Sequence, residues 1–339
     1  MITSSDLKKI DKSKMYKVYD DWPEIAAQTF NSNFPRMNVG NFNHIVFSGM
    51  GGSGTIGDFF AAILSKTSLH VNVVKGYLLP KNVDSKTLVV ITSVSGNTIE
   101  TITVLKSAYK LKCNIIAFSS GGEIEKICKK YKIKFQKIEK YHSPRASFVS
   151  FLYSILKILE PHIPVKNSDI LNSIKELKKT REIISSKNLS NSNESLRLAN
   201  FLNSIPVIYY PWGLEAAAIR FKSSLQENSK KHVIVEDVVE ASHNGIVAWE
   251  IERKAQPILL QGNDDYIKTK ERWEIIEKYF QKNKIKFLKI KSKEGDIITK
   301  LINLIYLLDY SSIYYSIKRG IDPTPVYSIE FIKKQLKKY

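Results

Sequence analysis

A chain of 339 residues with 43% hydrophobic and 25% charged side chains has the composition of a globular protein, with room for one large core or two ordinary domains, and intrinsic disorder is excluded. The formal net charge of +19 suits anionic partners, whether nucleic acid, acidic lipid or phosphorylated metabolite, and does not choose among them. Two cysteines, Cys113 and Cys128, rule out a disulfide framework and lack the spacing of a zinc site.

The segment from Met1 to Trp22 holds no apolar run before a small-residue cleavage site, and no stretch is apolar for long enough to cross a bilayer. The expectation is a cytoplasmic protein without a membrane partner. The six histidines (His44, His70, His142, His162, His232 and His243) include no i, i+4 pair, so no metal-ligand set is visible. Lysine runs such as 126–130 and 333–338 read as solvated helix faces, and no nucleic-acid-binding motif accompanies them.

Short β-branched runs alternate with helical patterns along most of the chain, which argues for parallel sheets covered by helices. The first series opens with a strand over His44–Ser48, a glycine-rich turn and a helix over Gly57–Lys66. Strands follow at Val71–Lys75 and Thr87–Thr92, then a helix at Thr98–Leu111 and a strand at Asn114–Phe118. A helix at Glu123–Lys130, a strand at Lys134–Ile138 and a helix at Arg145–Leu159 close the unit. Residues 160–192 are polar and lysine-rich, with one helical patch at Ile170–Ile184, and read as a connecting segment.

A second, shorter series has strands at Ile205–Tyr210, Gln256–Leu260 and Phe287–Ile290. Its helices are Leu214–Leu225, Glu271–Gln281 and the long Ile297–Ile317. Gly320, Pro323 and Pro325 break the chain before a last helix at Ser328–Leu336. The expected fold is α/β, two αβα sandwiches: an N-terminal domain over 1–160, a connection over 161–192, and a C-terminal domain with a terminal helix over 193–339.

Two loops carry the first chemical signal. After the first strand, the run Gly-Met-Gly-Gly-Ser-Gly (Gly49–Gly54) lets backbone approach an anion, with the N–H groups of the next helix behind it. Gly49, Gly51 and Gly54 also satisfy GxGxxG, but the second strand ends in Lys75-Gly76 instead of an acidic residue for a ribose hydroxyl. Lys75 can instead face a 2′-phosphate, which leaves an NADP-binding reading open. In the second loop, Ser93, Ser95 and Thr98 place three hydroxyls at the end of a strand and the start of a helix. Such a set can hold a monophosphate without a dedicated lysine, and it exceeds what helix capping needs.

These two loops together resemble the sugar isomerase (SIS) domain. Further segments resemble one branch of it: His-Ser-Pro-Arg145-Ala, the helix Phe221–Lys230 with Glu227, Glu240-Ala-Ser-His243-Asn-Gly, and the ending from Arg319 to Lys333. In order, from about Tyr19 to Leu336, they resemble the archaeal-type bifunctional phosphoglucose/phosphomannose isomerases.

The resemblance implies a metal-free, cofactor-free aldose–ketose isomerase of hexose 6-phosphates. Gly51, Gly52, Ser53, Ser93, Ser95 and Thr98 would bind substrate and its phosphate. Glu227 would be the base that moves a proton between C1 and C2, and Arg145 would stabilise the cis-enediolate. His243, reaching the neighbouring subunit of a homodimer, and Lys333 would assist ring opening, with Lys334 an alternative register. Thr324 is the candidate for tolerance of both C2 epimers. A non-catalytic sugar-phosphate sensor, and an isomerase limited to mannose 6-phosphate or an amino-sugar phosphate, stay open beside this reading.

Overall fold

Runs such as Ile45–Phe47 and Leu88–Ile91 are apolar without alternation because both faces are covered, the condition of a strand inside a parallel sheet. A computed structural model describes residues 2–251 and 254–336. Three short helices come first: α1 (Ser4–Ile10), α2 (Met15–Asp20) and α3 (Trp22–Phe30). The first sheet unit comprises β1 (His44–Ser48), α4 (Gly52–Leu64), β2 (His70–Val74), β3 (Leu88–Ser93), α5 (Ile99–Lys110), β4 (Asn114–Ser119), α6 (Gly122–Tyr131), β5 (Lys134–Lys137) and α7 (Phe148–Leu159). Helices α8 (Asn167–Ile184) and α9 (Glu194–Phe201) lead to the second. That unit comprises β6 (Ile205–Tyr210), α10 (Glu215–Ser229), β7 (Ile234–Asp237), α11 (Val238–Ala241), β8 (Ala255–Gln261), α12 (Ile267–Lys282), β9 (Leu288–Lys291), α13 (Ile297–Lys318) and α14 (Tyr327–Leu336).

Both sheets are parallel, ordered β2-β1-β3-β4-β5 and β7-β6-β8-β9, as the alternating pattern predicts. In the first sheet Ser48 pairs with Val74 on one side and Ile91 on the other. The carboxyl ends of β1 and β3 therefore lie side by side where the strand order reverses. Open α/β sheets bind ligands at that point.

The largest core cluster runs through both units and is organised by α13, which is buried at nearly every position from Ile298 to Ile317. Its tyrosine hydroxyls find partners inside: Tyr306 donates to the Tyr19 carbonyl, Tyr310 to an Asp20 carboxylate oxygen and Tyr314 to the Ile184 carbonyl. Trp22 stacks between Tyr19, at 4.4 Å between ring centroids, and Tyr306, at 5.4 Å, and its indole N–H donates to the Ala146 carbonyl. Trp22→Ala removes this aromatic stack and strands that carbonyl. It is expected to lower unfolding free energy by about 3–5 kcal/mol in urea titrations; a loss below about 1 kcal/mol would mean the stack does not hold the N-terminus to the core.

The structure departs from the sequence reading in several places: α4 begins at Gly52 and not at Gly57, helices α9 and α11 were not read, and three further differences bear on the core and the second sheet. The opening helices α1 to α3 were not expected, yet Met15, Tyr19, Trp22 and Phe30 are buried. Residues 161–192, read as a connection, contain α8, which lies against α13 with Ile170, Ile174, Leu177 and Ile184 buried. The helical patch read there is confirmed as a helix; its burial was not foreseen, because lysines on the outer face make the segment polar as a whole. Strand β7 went unread because a four-residue edge strand carrying Glu236 and Asp237 has little apolar signal. No helix among the described residues is long and apolar enough to cross a membrane.

Candidate active site

At the switch point of the first sheet, α4 and α5 begin with Gly51 and Thr98 at their N-cap positions, and neither N-terminus has a side-chain cap. Their first N–H groups thus lack side-chain acceptors and carry the positive end of each helix dipole. Ser93 is buried: its hydroxyl pairs with the Thr98 hydroxyl at 2.9 Å and accepts the Gly96 N–H at 3.1 Å. Ser95 is exposed, its hydroxyl accepting the Asn97 N–H. Ser53, just inside α4, is buried. The hydroxyls of Ser93 and Ser95 shape the second loop from within. Gly96, at φ +67°, permits this turn, since a Cβ there would lie 1.7 Å from the Gly121 carbonyl oxygen.

Arg145 enters from the turn before α7. It is 3% exposed, and its guanidinium is fixed on every side. Nε donates to Asn228 Oδ1 at 2.7 Å, Nη1 to Glu227 Oε2 at 3.0 Å, and Nη2 to the Pro323 and Thr324 carbonyls at 2.6 and 2.9 Å. Four of the five donors of an arginine are thereby engaged, leaving one on Nη1 beside Glu227. Gly52 lies next to the Arg145 backbone, with its ideal Cβ 3.7 Å from the Arg145 Cα. The arginine and the glutamate expected from sequence are therefore paired, beside the first phosphate loop.

Glu227 lies two residues before the end of α10, and Lys230 closes that helix in the left-handed conformation. The Lys230 ammonium donates to the Glu227 and Pro325 carbonyls at 2.5 and 2.7 Å, tying the helix end to the segment before α14. Burial and the nearby Arg145 charge hold its pKa below the ordinary lysine value. Glu227 and Lys230 line a cavity of about 620 Å³ together with His232 and Val326 to Ile329. Neither Arg145 nor the loops at Gly51–Ser53 and Ser93–Thr98 line this cavity.

Of the remaining expected residues, only Thr324 makes a recorded contact with this cluster. His243, between α11 and the 3-10 turn Gly245–Glu250, is exposed. Lys333 and Lys334 are exposed on α14, none of whose residues is buried. Thr324 meets Arg145 through its carbonyl, and its hydroxyl is buried with no partner among the described residues. Lys75 pairs with Asp58 on α4 at 2.6 Å, so the cation that an NADP reading requires is already engaged. No cluster of three His, Cys, Asp or Glu residues suited to a metal ion occurs among the described residues.

Sequence reasoning passed over the layer beneath the site. Arg220, 1% exposed, forms an ion pair with Asp309 of α13 at 2.7 Å and donates to the Arg145 carbonyl at 2.7 Å. Burial works against the Arg220 charge, but Asp309 outweighs it and raises the pKa above the ordinary arginine value. Asn228 is held from the same side by Ser312 at 2.8 Å. One signal was available: Asp309 is a lone carboxylate within a long apolar helix.

Comparison with known proteins agrees with this architecture. Residues 41–160 match the SIS domain family and residues 191–336 match the bacterial phospho-glucose isomerase C-terminal SIS domain. A bifunctional phosphoglucose/phosphomannose isomerase of Aquifex aeolicus is 29% identical, over 96% of this chain and 99% of its own. One from Caldicellulosiruptor bescii is 30% identical, over 87% of this chain and 90% of its own. A solved hypothetical protein of Thermus thermophilus shares the fold at a TM-score of 0.70 and 13% identity, covering 99% of this chain and 90% of that one. The chain belongs to the bifunctional phosphoglucose/phosphomannose isomerase family.

Proposed function

We propose that this protein interconverts glucose 6-phosphate and mannose 6-phosphate with fructose 6-phosphate through a cis-enediolate. The observation that carries the reading is the Arg145–Glu227 pair, a fixed cation 3.0 Å from a carboxylate, whose arginine backbone adjoins the uncapped N-terminus of α4 at Gly52. Isomerisation needs a base for the proton that moves between C1 and C2 and a cation for the oxyanion that develops beside it. Glu227 takes and returns the proton. Arg145 stabilises the enediolate with the free donor on Nη1. Gly51, Gly52 and Ser53 with Ser93, Ser95 and Thr98 bind the phosphate at the other end of the substrate. Because C2 epimers give the same enediolate, one site serves both aldoses.

Ring opening falls to His243 and Lys333, and the protein works as a homodimer in which His243 completes the partner's site. The exposed position of His243, outside its own cluster of Arg145 and Glu227, supports that assignment. So does α14, whose Phe331 and Ile332 are exposed.

The test is fructose 6-phosphate formation from each aldose separately, with and without EDTA. Turnover of both, unchanged by the chelator, is expected. Turnover of mannose 6-phosphate alone would narrow the substrate and keep the mechanism. Tight sugar-phosphate binding without turnover of either would replace the enzyme by a sensor.

A further inference from the structure

Arg220 and Glu227 lie seven residues apart on α10, two turns of helix and so the same face. Arg220 makes none of the interactions assigned above to substrate, yet it touches three of the elements that build the site. Its Nη2 donates to the Arg145 carbonyl at 2.7 Å. Its Nη1 lies against the phosphate loop, where a Cβ added at Gly52 would come within 2.9 Å of it. Its Nε and Nη2 hold Asp309 Oδ2 at 3.0 and 2.7 Å. The Phe148 ring packs under the guanidinium, 4.7 Å from centroid to Cζ.

Asp309 is itself held. Besides Arg220 it accepts the Ser224 hydroxyl at 2.5 Å and the Tyr19 hydroxyl at 3.2 Å, and it is fully buried. The guanidinium is therefore clamped by α13 on one edge and by the Arg145 backbone and Gly52 on the others. A planar fork is required for this, since an ammonium cannot hold a carboxylate and a carbonyl in fixed directions at once.

We propose that Arg220, anchored by Asp309, is the positioning residue of this site, setting the distance between the phosphate loop at Gly52 and the enediolate-stabilising Arg145. It explains why position 52 is glycine: any side chain there displaces the Arg220 fork. The inference rests on the isomerase reading above. Arg220 acts through Arg145 and the loop, so its loss slows proton transfer more than it weakens substrate binding.

The experiment is Arg220→Lys in the full-length protein, which keeps the charge opposite Asp309 and removes the fork. With either aldose phosphate, kcat is expected to fall roughly 30-fold while KM stays within about 3-fold, as displacement of a reacting group by a fraction of an ångström would produce. The isotope effect on kcat with C2-deuterated substrate should rise above the wild-type value, because proton transfer becomes more rate-limiting. Ser224→Ala, which loosens Asp309 and leaves the ion pair intact, should give a smaller loss with the same rise, and serves if Arg220→Lys does not fold. A kcat that falls only with the folded fraction, at an unchanged isotope effect, would reduce Arg220 to a structural residue. Wild-type kinetics in both variants would overturn the inference alone. A wild-type protein that turns over neither aldose overturns the isomerase reading and this inference together.

Discussion

Glu227→Gln is expected to lower kcat for both aldose phosphates by about 10³- to 10⁴-fold, the upper part of the range for general acid–base catalysis. The amide has the size of the carboxylate, and its oxygen can still accept from Arg145 Nη1, now at 3.0 Å from Glu227 Oε2. The geometry is kept and the capacity to take a proton is lost. Arg145 remains anchored by Asn228 and by the Pro323 and Thr324 carbonyls. For that reason KM should move by no more than about 3-fold, since the substitution removes an interaction made only in the transition state. Retention of more than about a tenth of wild-type kcat would take the base role away from Glu227. Steady-state kinetics beside a thermal unfolding curve decide the matter.

Arg145→Lys is expected to cost about 10²- to 10³-fold in kcat, the loss typical of removing one donor aimed at a developing oxyanion. Lysine keeps the charge but replaces a planar five-donor fork with a point charge on a flexible stem. It cannot reach Asn228, Glu227 and the two carbonyls together. The acceptors it leaves unpaired each cost about 1–3 kcal/mol, so a lower melting temperature should accompany the kinetic loss. Arg145→Lys with wild-type kcat would show that charge alone suffices and that the fork is structural. Binding of inorganic phosphate should change little, because the loops at Gly51–Ser53 and Ser93–Thr98 remain intact.

Much of the sheet architecture was legible because strands covered on both faces read as unbroken apolar runs, as in Leu88–Ile91 and Ile205–Tyr210. The two candidate loops stood out for a related reason: their signal lies within six or so consecutive residues. The rest of the site is assembled over long distances, and local spacing is silent about it. Nothing near Arg145 or Glu227 sets them apart from surface residues; the resemblance singled them out. Arg220 follows a run of alanines, and its partner lies 89 residues on. Thr324 shows the same limit in another form, since a backbone carbonyl carries no signal in the identity of its residue. Helix α8 was read as a helical patch, but its place in the core escaped because lysines on its wet face outweigh four buried apolar positions in any average over the segment.

The anchoring of Arg145 has a consequence for how the protein comes off the ribosome. The Pro323 carbonyl that receives its Nη2 lies 178 residues further along the chain, and Asn228 lies 83 residues on. At a translation rate of about 5–20 residues per second, roughly 10–35 s pass between the synthesis of the arginine and that of its last ligands. During that interval the first sheet can be complete while the guanidinium at its mouth still faces water. A nascent chain released before residue 323 would have both phosphate loops and the glutamate helix, yet lack the carbonyls that aim the cation.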